Sequence, residues 1–116
     1  MPYLKINTNL RVESNIQNQL CLQASALIAR ILAKPESYVM IEINNDLCMS
    51  FAGNQKPLAY LELKSLGLPE DKTSLLSESL CQFINNELGI PEDRIYIEFA
   101  SGQRHLWGWN NKTFQN

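Results

Sequence analysis

Leu32-Ala33-Lys34-Pro35-Glu36-Ser37-Tyr38-Val39-Met40-Ile41-Glu42-Ile43 lies over Leu88-Gly89-Ile90-Pro91-Glu92-Asp93-Arg94-Ile95-Tyr96-Ile97-Glu98-Phe99. The leucine, the Pro-Glu pair and the Ile-Glu pair coincide. In both copies a helical pattern stops at a proline and a β-rich run follows. The upstream segments match as well: Tyr3-Leu4-Lys5-Ile6 resembles Tyr60-Leu61-Glu62-Leu63. Each copy therefore reads strand, helix, strand, and the chain reads as two such units, about 2–56 and 57–116, within one domain spanning 1–116.

The elements follow from local patterns. Tyr3 to Asn7 alternates, with Leu4 and Ile6 on one face, as a half-buried strand does. Ser14 and Gln17 have the spacing of a capping box. Behind them Ile16, Leu20, Ala24, Leu27 and Ile31 form a helical stripe. Pro35 stops that helix. Tyr38 to Ile43 reads as a strand, Leu47 to Phe51 as another, and Asn44-Asn45-Asp46 as a hairpin turn between them. In the second unit, Leu58 to Lys64 alternates. Pro69-Glu70-Asp71 opens a helix whose stripe is Leu76, Leu80, Phe83, Ile84 and Leu88. Gly89 suits the left-handed residue beyond it, and Ile95 to Ala100 closes the unit. The fold class is α/β (α+β in some schemes): a four-stranded sheet with two helices on one face. The other face has no cover within the chain, so we expect a homo-oligomer packed through its sheets.

Composition narrows the function. The chain has 116 residues, 45% apolar and 19% charged, with a net charge of −2. That is globular composition, and it offers no basic footprint for nucleic acid. No apolar run approaches the ~18 residues of a membrane span, and no apolar leader precedes the first strand. A cytoplasmic location is the expectation, with export lacking a leader as the other route. Cys21, Cys48 and Cys81 are dispersed without metal-ligand spacing and read as buried thiols.

Chemistry centres on the start. An initiator Met followed by a small residue is normally trimmed, which leaves Pro2 with a free secondary amine. An ordinary α-amino group titrates near ~7.7–8.0. An apolar pocket or a nearby cation lowers that value, and an amine neutral near pH 7 is a general base.

The repeat, Met1-Pro2, the run Pro91-Glu92-Asp93-Arg94-Ile95-Tyr96-Ile97 and the tail Gly108-Trp109-Asn110-Asn111-Lys112-Thr113-Phe114 together resemble the macrophage migration inhibitory factor family of the tautomerase superfamily. The resemblance covers essentially the whole chain. It implies a homotrimer whose sheets surround a central channel. It also implies sites between subunits that tautomerise phenylpyruvate-like 2-oxo acids or their enols, with Pro2 as base and no cofactor or metal.

Residue by residue, the resemblance makes Lys34 the partner of the substrate carboxylate, which would otherwise read as a solvated lysine. Ser65 and Leu66 match the pocket floor, the second offering its N–H, where a plain strand end is the alternative. Tyr38 matches a rim aromatic, although it also suits sheet packing. Tyr96 matches a tyrosine supplied by the neighbouring subunit, and without the family it reads as core. Trp109 and Phe114 match aromatics beside the site and also suit tail anchors. Glu98 stands where mammalian members have an asparagine that contacts ligand, which places it in the pocket or in an ion pair with Lys34, Arg94 or Arg104. Trp107 replaces a smaller aliphatic residue and should narrow the pocket. The family's Cys-x-x-Cys is absent, its positions reading Leu58-Ala59-Tyr60-Leu61, and His105 reads as an exposed loop residue. Animal relatives are secreted cytokines that act through receptors, so a cytokine-like binding protein is the alternative. The sequence names no receptor for it. Decarboxylation or hydration of a small acid, as elsewhere in the superfamily, also stays open.

Overall fold

The computed structural model describes residues 1–115. Strand β1 (Tyr3–Thr8) leads into helix α1 (Ser14–Leu32) and strand β2 (Met40–Asn44); strand β3 (Ala59–Leu66) leads into helix α2 (Thr73–Leu88) and strand β4 (Ile95–Gly102). The sheet order is β2-β1-β3-β4. β1 pairs parallel with β2 and β3 parallel with β4, and the two units meet along the antiparallel β1–β3 seam.

The alternation read from the sequence sets the two faces. Leu4, Ile6, Leu61 and Leu63 are fully buried beneath Ala24 and Ile28 of α1 and Leu80 and Ile84 of α2. Both helices therefore cover one face. The stripe on α1 is rotated from the one expected. Leu20, Ala24, Leu27, Ile28 and Leu32 are buried, whereas Ile16 is exposed and Ile31 only partly buried against the core.

Local corrections have local causes. No capping box forms at Ser14. The residue before the helix is Glu13, which makes no side-chain cap, and the Gln17 amide donates to the Val12 carbonyl instead, at 2.8 Å. No strand forms over 47–51, and 44–46 is no hairpin. The Asp46 N–H donates to the Leu10 carbonyl at 2.7 Å and the Leu47 N–H to the Thr8 carbonyl at 3.1 Å, so the end of β1 takes the donors a hairpin would need. The chain reverses later, where Phe51 bridges Asn54 across left-handed Ala52 and Gly53. The cysteines are free but not fully buried: Cys48 is exposed, and Cys21 and Cys81 are half-buried, Cys81 against the edge of the core.

The face away from the helices is polar, which corrects the reason given above for oligomerisation. Glu42, Lys5, Glu62 and Glu98 stand in one register line across all four strands. Lys5 pairs with Glu62 at 3.1 Å. The Tyr60 hydroxyl lies 3.2 Å from Glu62 and 3.1 Å from Glu98, and Tyr3 donates to Glu42. The Tyr60 phenol is pushed up to about 12, by desolvation first and by the Glu98 hydrogen bond second. Such a face tolerates water, because its charged and hydroxyl groups are polar and paired along the sheet, so it creates no demand for apolar cover.

Candidate active site

The strand directions gather one end of the sheet. β2 runs parallel to β1, so the segment entering β2 lies beside the start of β1, and the Met40 N–H donates to the Pro2 carbonyl at 3.0 Å. β3 runs antiparallel, so its end arrives there as well, with Lys64 opposite Tyr3. β4 runs parallel to β3 and puts Gly102 beside Leu66. The tail after β4 therefore starts at the same end. Pro2, the α1–β2 connection, the β3 terminus and the tail are far apart in sequence and converge through topology alone.

Each connection is locally encoded. Helix α1 stops at left-handed Ala33, whose N–H donates to the Arg30 carbonyl at 3.3 Å, and the Lys34 N–H reaches the Ala29 carbonyl at 3.0 Å. This closing turn, followed by Pro35, carries Lys34 off the helix toward the start of β1. A 3-10 turn over Glu36–Tyr38 then presents Tyr38 before β2 begins. In the tail, Gly108–Trp109 (β5) and Lys112–Thr113 (β6) form a tight hairpin. Its corner is Asn110-Asn111, both with positive φ, the pair that suits a two-residue turn of this hand. The hairpin stacks Trp109 on Phe114, with centroids 5.9 Å apart, and sets Trp109 edge-on to Tyr38 at 5.7 Å. The Phe114 N–H ties the tail back to the Trp107 carbonyl at 3.2 Å.

Two cavities result, and they share Met1 and Phe114. The first, of about 230 Å³, is aromatic. Pro2 and Tyr3 form its base, Ser37, Tyr38, Val39 and Met40 one side, and Trp107, Gly108, Trp109 and Phe114 the other. The second, of about 240 Å³, is lined by Met1, Lys34, Leu66, Gly67, Arg104 and Phe114. Pro2 is fully buried. The Met1 amino group has its pKa lowered, mainly by burial and further by the Lys34 charge. Among the described residues no three His, Cys, Asp or Glu side chains cluster as a metal site would need, and no helix is long and apolar enough to cross a membrane.

The structure thus brings together Pro2, Lys34, Tyr38, Leu66, Trp107, Trp109 and Phe114. Ser65 is placed next to them but not in the cavities. It is fully buried, and its hydroxyl donates to the Leu66 carbonyl at 3.1 Å. Glu98 is on the polar sheet face, hydrogen-bonded to Tyr60, and pairs with none of Lys34, Arg94 or Arg104. Arg94 is held instead by the Pro57 and Lys56 carbonyls, both at 3.0 Å, and lies over the Phe51 ring. Tyr96 is 65% exposed, so it is no core aromatic, and it touches Phe51. Its register partner is Tyr60, and Tyr60 faces Asn7 at the far end of β1. Four residues of strand and two strand spacings, about 13 Å and about 10 Å, separate it from the Pro2 end of its own chain. His105 is exposed, within a 3-10 turn over Arg104–Leu106. The sequence reading missed Arg104 as a lining residue, because only the return of the tail to the first strand puts it beside Lys34.

The sequence profile described as macrophage migration inhibitory factor matches residues 1–115. A macrophage migration inhibitory factor homologue of Trichinella spiralis is 37% identical over 115 residues, covering 98% of this chain and 100% of that one. One from Brugia malayi is 37% identical, with 98% and 99% covered. Among solved structures, the homologue from Prochlorococcus marinus superposes with a TM-score of 0.90 at 40% identity, covering 97% of this chain and 98% of its own. The Trichinella spiralis structure gives 0.90 at 35%, with 97% and 99% covered. Matches of this extent, on a fold with the same elements throughout, place the chain in the macrophage migration inhibitory factor family.

Proposed function

We propose that this chain is a cofactor-independent keto–enol tautomerase acting on phenylpyruvate-like 2-oxo acids, with Pro2 as general base once Met1 is gone. One observation carries the reading: Pro2, fully buried behind Met1, lines an aromatic cavity that shares Met1 and Phe114 with a cationic one. That arrangement fits a substrate with a ring at one end and a 2-oxo acid at the other. The acidic C–H lies between them, at the junction. The Pro2 nitrogen takes that proton. The C–H pair becomes the new C=C bond, and the carbonyl π pair moves onto oxygen. Return of the proton to that oxygen gives the enol. In this reading Lys34 holds the carboxylate, the Leu66 N–H approaches the carbonyl, and Tyr38, Trp107, Trp109 and Phe114 flank the ring. Ser65 bonds the Leu66 carbonyl, on the peptide after the one that carries the Leu66 N–H, and acts by fixing the backbone there.

The test is phenylpyruvate turnover by protein whose mass shows that it begins at Pro2. Absence of turnover would sink the proposal. Lys34→Ala should raise KM for the acid about ten- to hundredfold, the effect of one charge-assisted contact of ~1.5–3 kcal/mol. The methyl ester should be affected far less. Equal effects on acid and ester would remove Lys34 from carboxylate recognition.

The functional unit in this proposal is a homotrimer. Tyr96 and Glu98 enter the site only from a neighbouring copy, since their own chain holds Tyr96 at the far end of the sheet and Glu98 mid-strand on the polar face, bonded to Tyr60. Exposed Met40 and Tyr96 lie on the two outer strands, whose free edges are open to pairing. The polar sheet face suits a wet central channel. Sedimentation at micromolar concentration should give one species of about three times the 13.2 kDa chain. A stable monomer would remove the shared site.

A further inference from the structure

The cationic cavity holds one more charge than a simple 2-oxo acid requires. Lys34 and Arg104 both line it, and the other lining residues, Met1, Leu66, Gly67 and Phe114, bring no carboxylate. Neither cation has an ion-pair partner among the described residues, where the one salt bridge is Lys5–Glu62. Nor does either side chain make a hydrogen bond there, although Arg94 of the same chain makes three. Two like charges facing one small cavity repel each other and stay there unopposed. A guanidinium keeps its charge at any working pH and presents a planar fork of donors suited to oxyanions. Arg104 lies two residues beyond Gly102, the last residue of β4, and opens the 3-10 turn Arg104–Leu106, so its position is set by the sheet rather than by a long loop.

We propose that Arg104 is a specificity-determining residue which, with Lys34, forms a two-cation seat selecting ligands with two adjacent negative oxygens groups at the end remote from the ring. The inference rests on the tautomerase reading for the ring's placement in the aromatic cavity. It adds to that reading a preference for dianions. The enolate of a 2-oxo acid has this charge pattern, since its carboxylate lies next to the oxygen that receives the carbonyl pair. A diacid with both carboxylates on one carbon presents the same pattern as a stable ligand.

Benzylmalonate and 3-phenylpropanoate test this. They share the ring and its linker and differ by one carboxylate. Binding is read from the fluorescence of Trp107 and Trp109 at constant ionic strength, in protein beginning at Pro2, so no turnover is needed. The wild type should bind the dianion about ten- to hundredfold more tightly, as one additional charge-assisted contact implies. Arg104→Gln should bring that ratio close to one and change affinity for the monoanion by less than about threefold, since Lys34 remains. An unchanged ratio in Arg104→Gln overturns the proposal, and so does a wild type without preference. Arg104→Lys keeps the charge, and if Arg104→Gln fails to fold it supplies the comparison: a preference reduced but still present supports the seat, and an undiminished one overturns a role for the fork. Missing phenylpyruvate turnover would sink the tautomerase reading and leave these binding ratios readable.

Discussion

Protein that keeps Met1 should tautomerise phenylpyruvate at least a hundredfold more slowly than protein that begins at Pro2. A positioned general base contributes about 10²–10⁴-fold, and retention of Met1 removes the base altogether. The Pro2 nitrogen is then a tertiary amide, with no proton to exchange and no basic lone pair. Met1 also lines both cavities, so its side chain occupies the junction where the substrate would react. The comparison needs two preparations distinguished by N-terminal mass and assayed for kcat/KM under one condition. Equal rates would exclude Pro2 as the base. Pro2→Gly, trimmed to a primary amine, should fall between the two.

The pH profile of the trimmed protein carries a sign that follows from its surroundings. The Met1 amino group is lowered by burial first and by Lys34 second, and the Pro2 amine freed by trimming, one residue further in, should be lowered for the same reasons. Lowering favours the neutral, basic form, so the acidic limb of kcat/KM should lie below the ordinary α-amino range. Removing the Lys34 charge removes the second cause. The amine pKa then rises, and the limb in Lys34→Ala should move to higher pH.

Much of this was legible because each unit encodes itself locally. The Pro-Glu repeat after each helix, the alternation of Leu4 and Ile6 and that of Leu61 and Leu63 are short-range signals, and they fix faces as well as elements. Less visible were features set by long-range competition. The donors of Asp46 and Leu47 are taken by carbonyls at the end of β1, more than thirty residues upstream, and this removes the strand expected over 47–51. The polar register line Glu42, Lys5, Glu62 and Glu98 emerges only when four strands are set side by side. It also places Glu98 on Tyr60 rather than on an arginine. The family resemblance supplied Lys34, Tyr38 and Leu66 as site residues. It was silent on Arg104, whose significance comes from the cavity it shares with Lys34.

Gly102→Ala should lower kcat/KM for phenylpyruvate about five- to hundredfold, and the cause is steric rather than conformational. A methyl group on Gly102 would overlap Nε1 of Trp107 and lie 2.6 Å from its Cδ1. The indole therefore rests directly on the strand backbone, and only hydrogen fits beneath it. Trp107 is also a shared wall. One side lines the aromatic cavity with Pro2, and the other closes a shallow depression formed by Lys64, Ala100, Ser101 and Gln103. An indole lifted from Gly102 has to move into one of these spaces, and the Trp107 carbonyl is fixed by the Phe114 N–H, which limits how the backbone can yield. Overpacking of this kind costs about 1–3 kcal/mol, which gives the stated range where it falls on the substrate cavity. The size of Trp107 and the absence of a side chain at Gly102 are thus one feature, and they should fail and recover together. Trp107→Val alone should widen the cavity. In the double variant the methyl at 102 has nothing to strike, so Gly102→Ala should become almost silent. A coupling of about 0.5–3 kcal/mol between the two sites is the expected result of the double-mutant cycle, read in kcat/KM and in the thermal midpoint. Additive effects would mean that Gly102 does not position the indole.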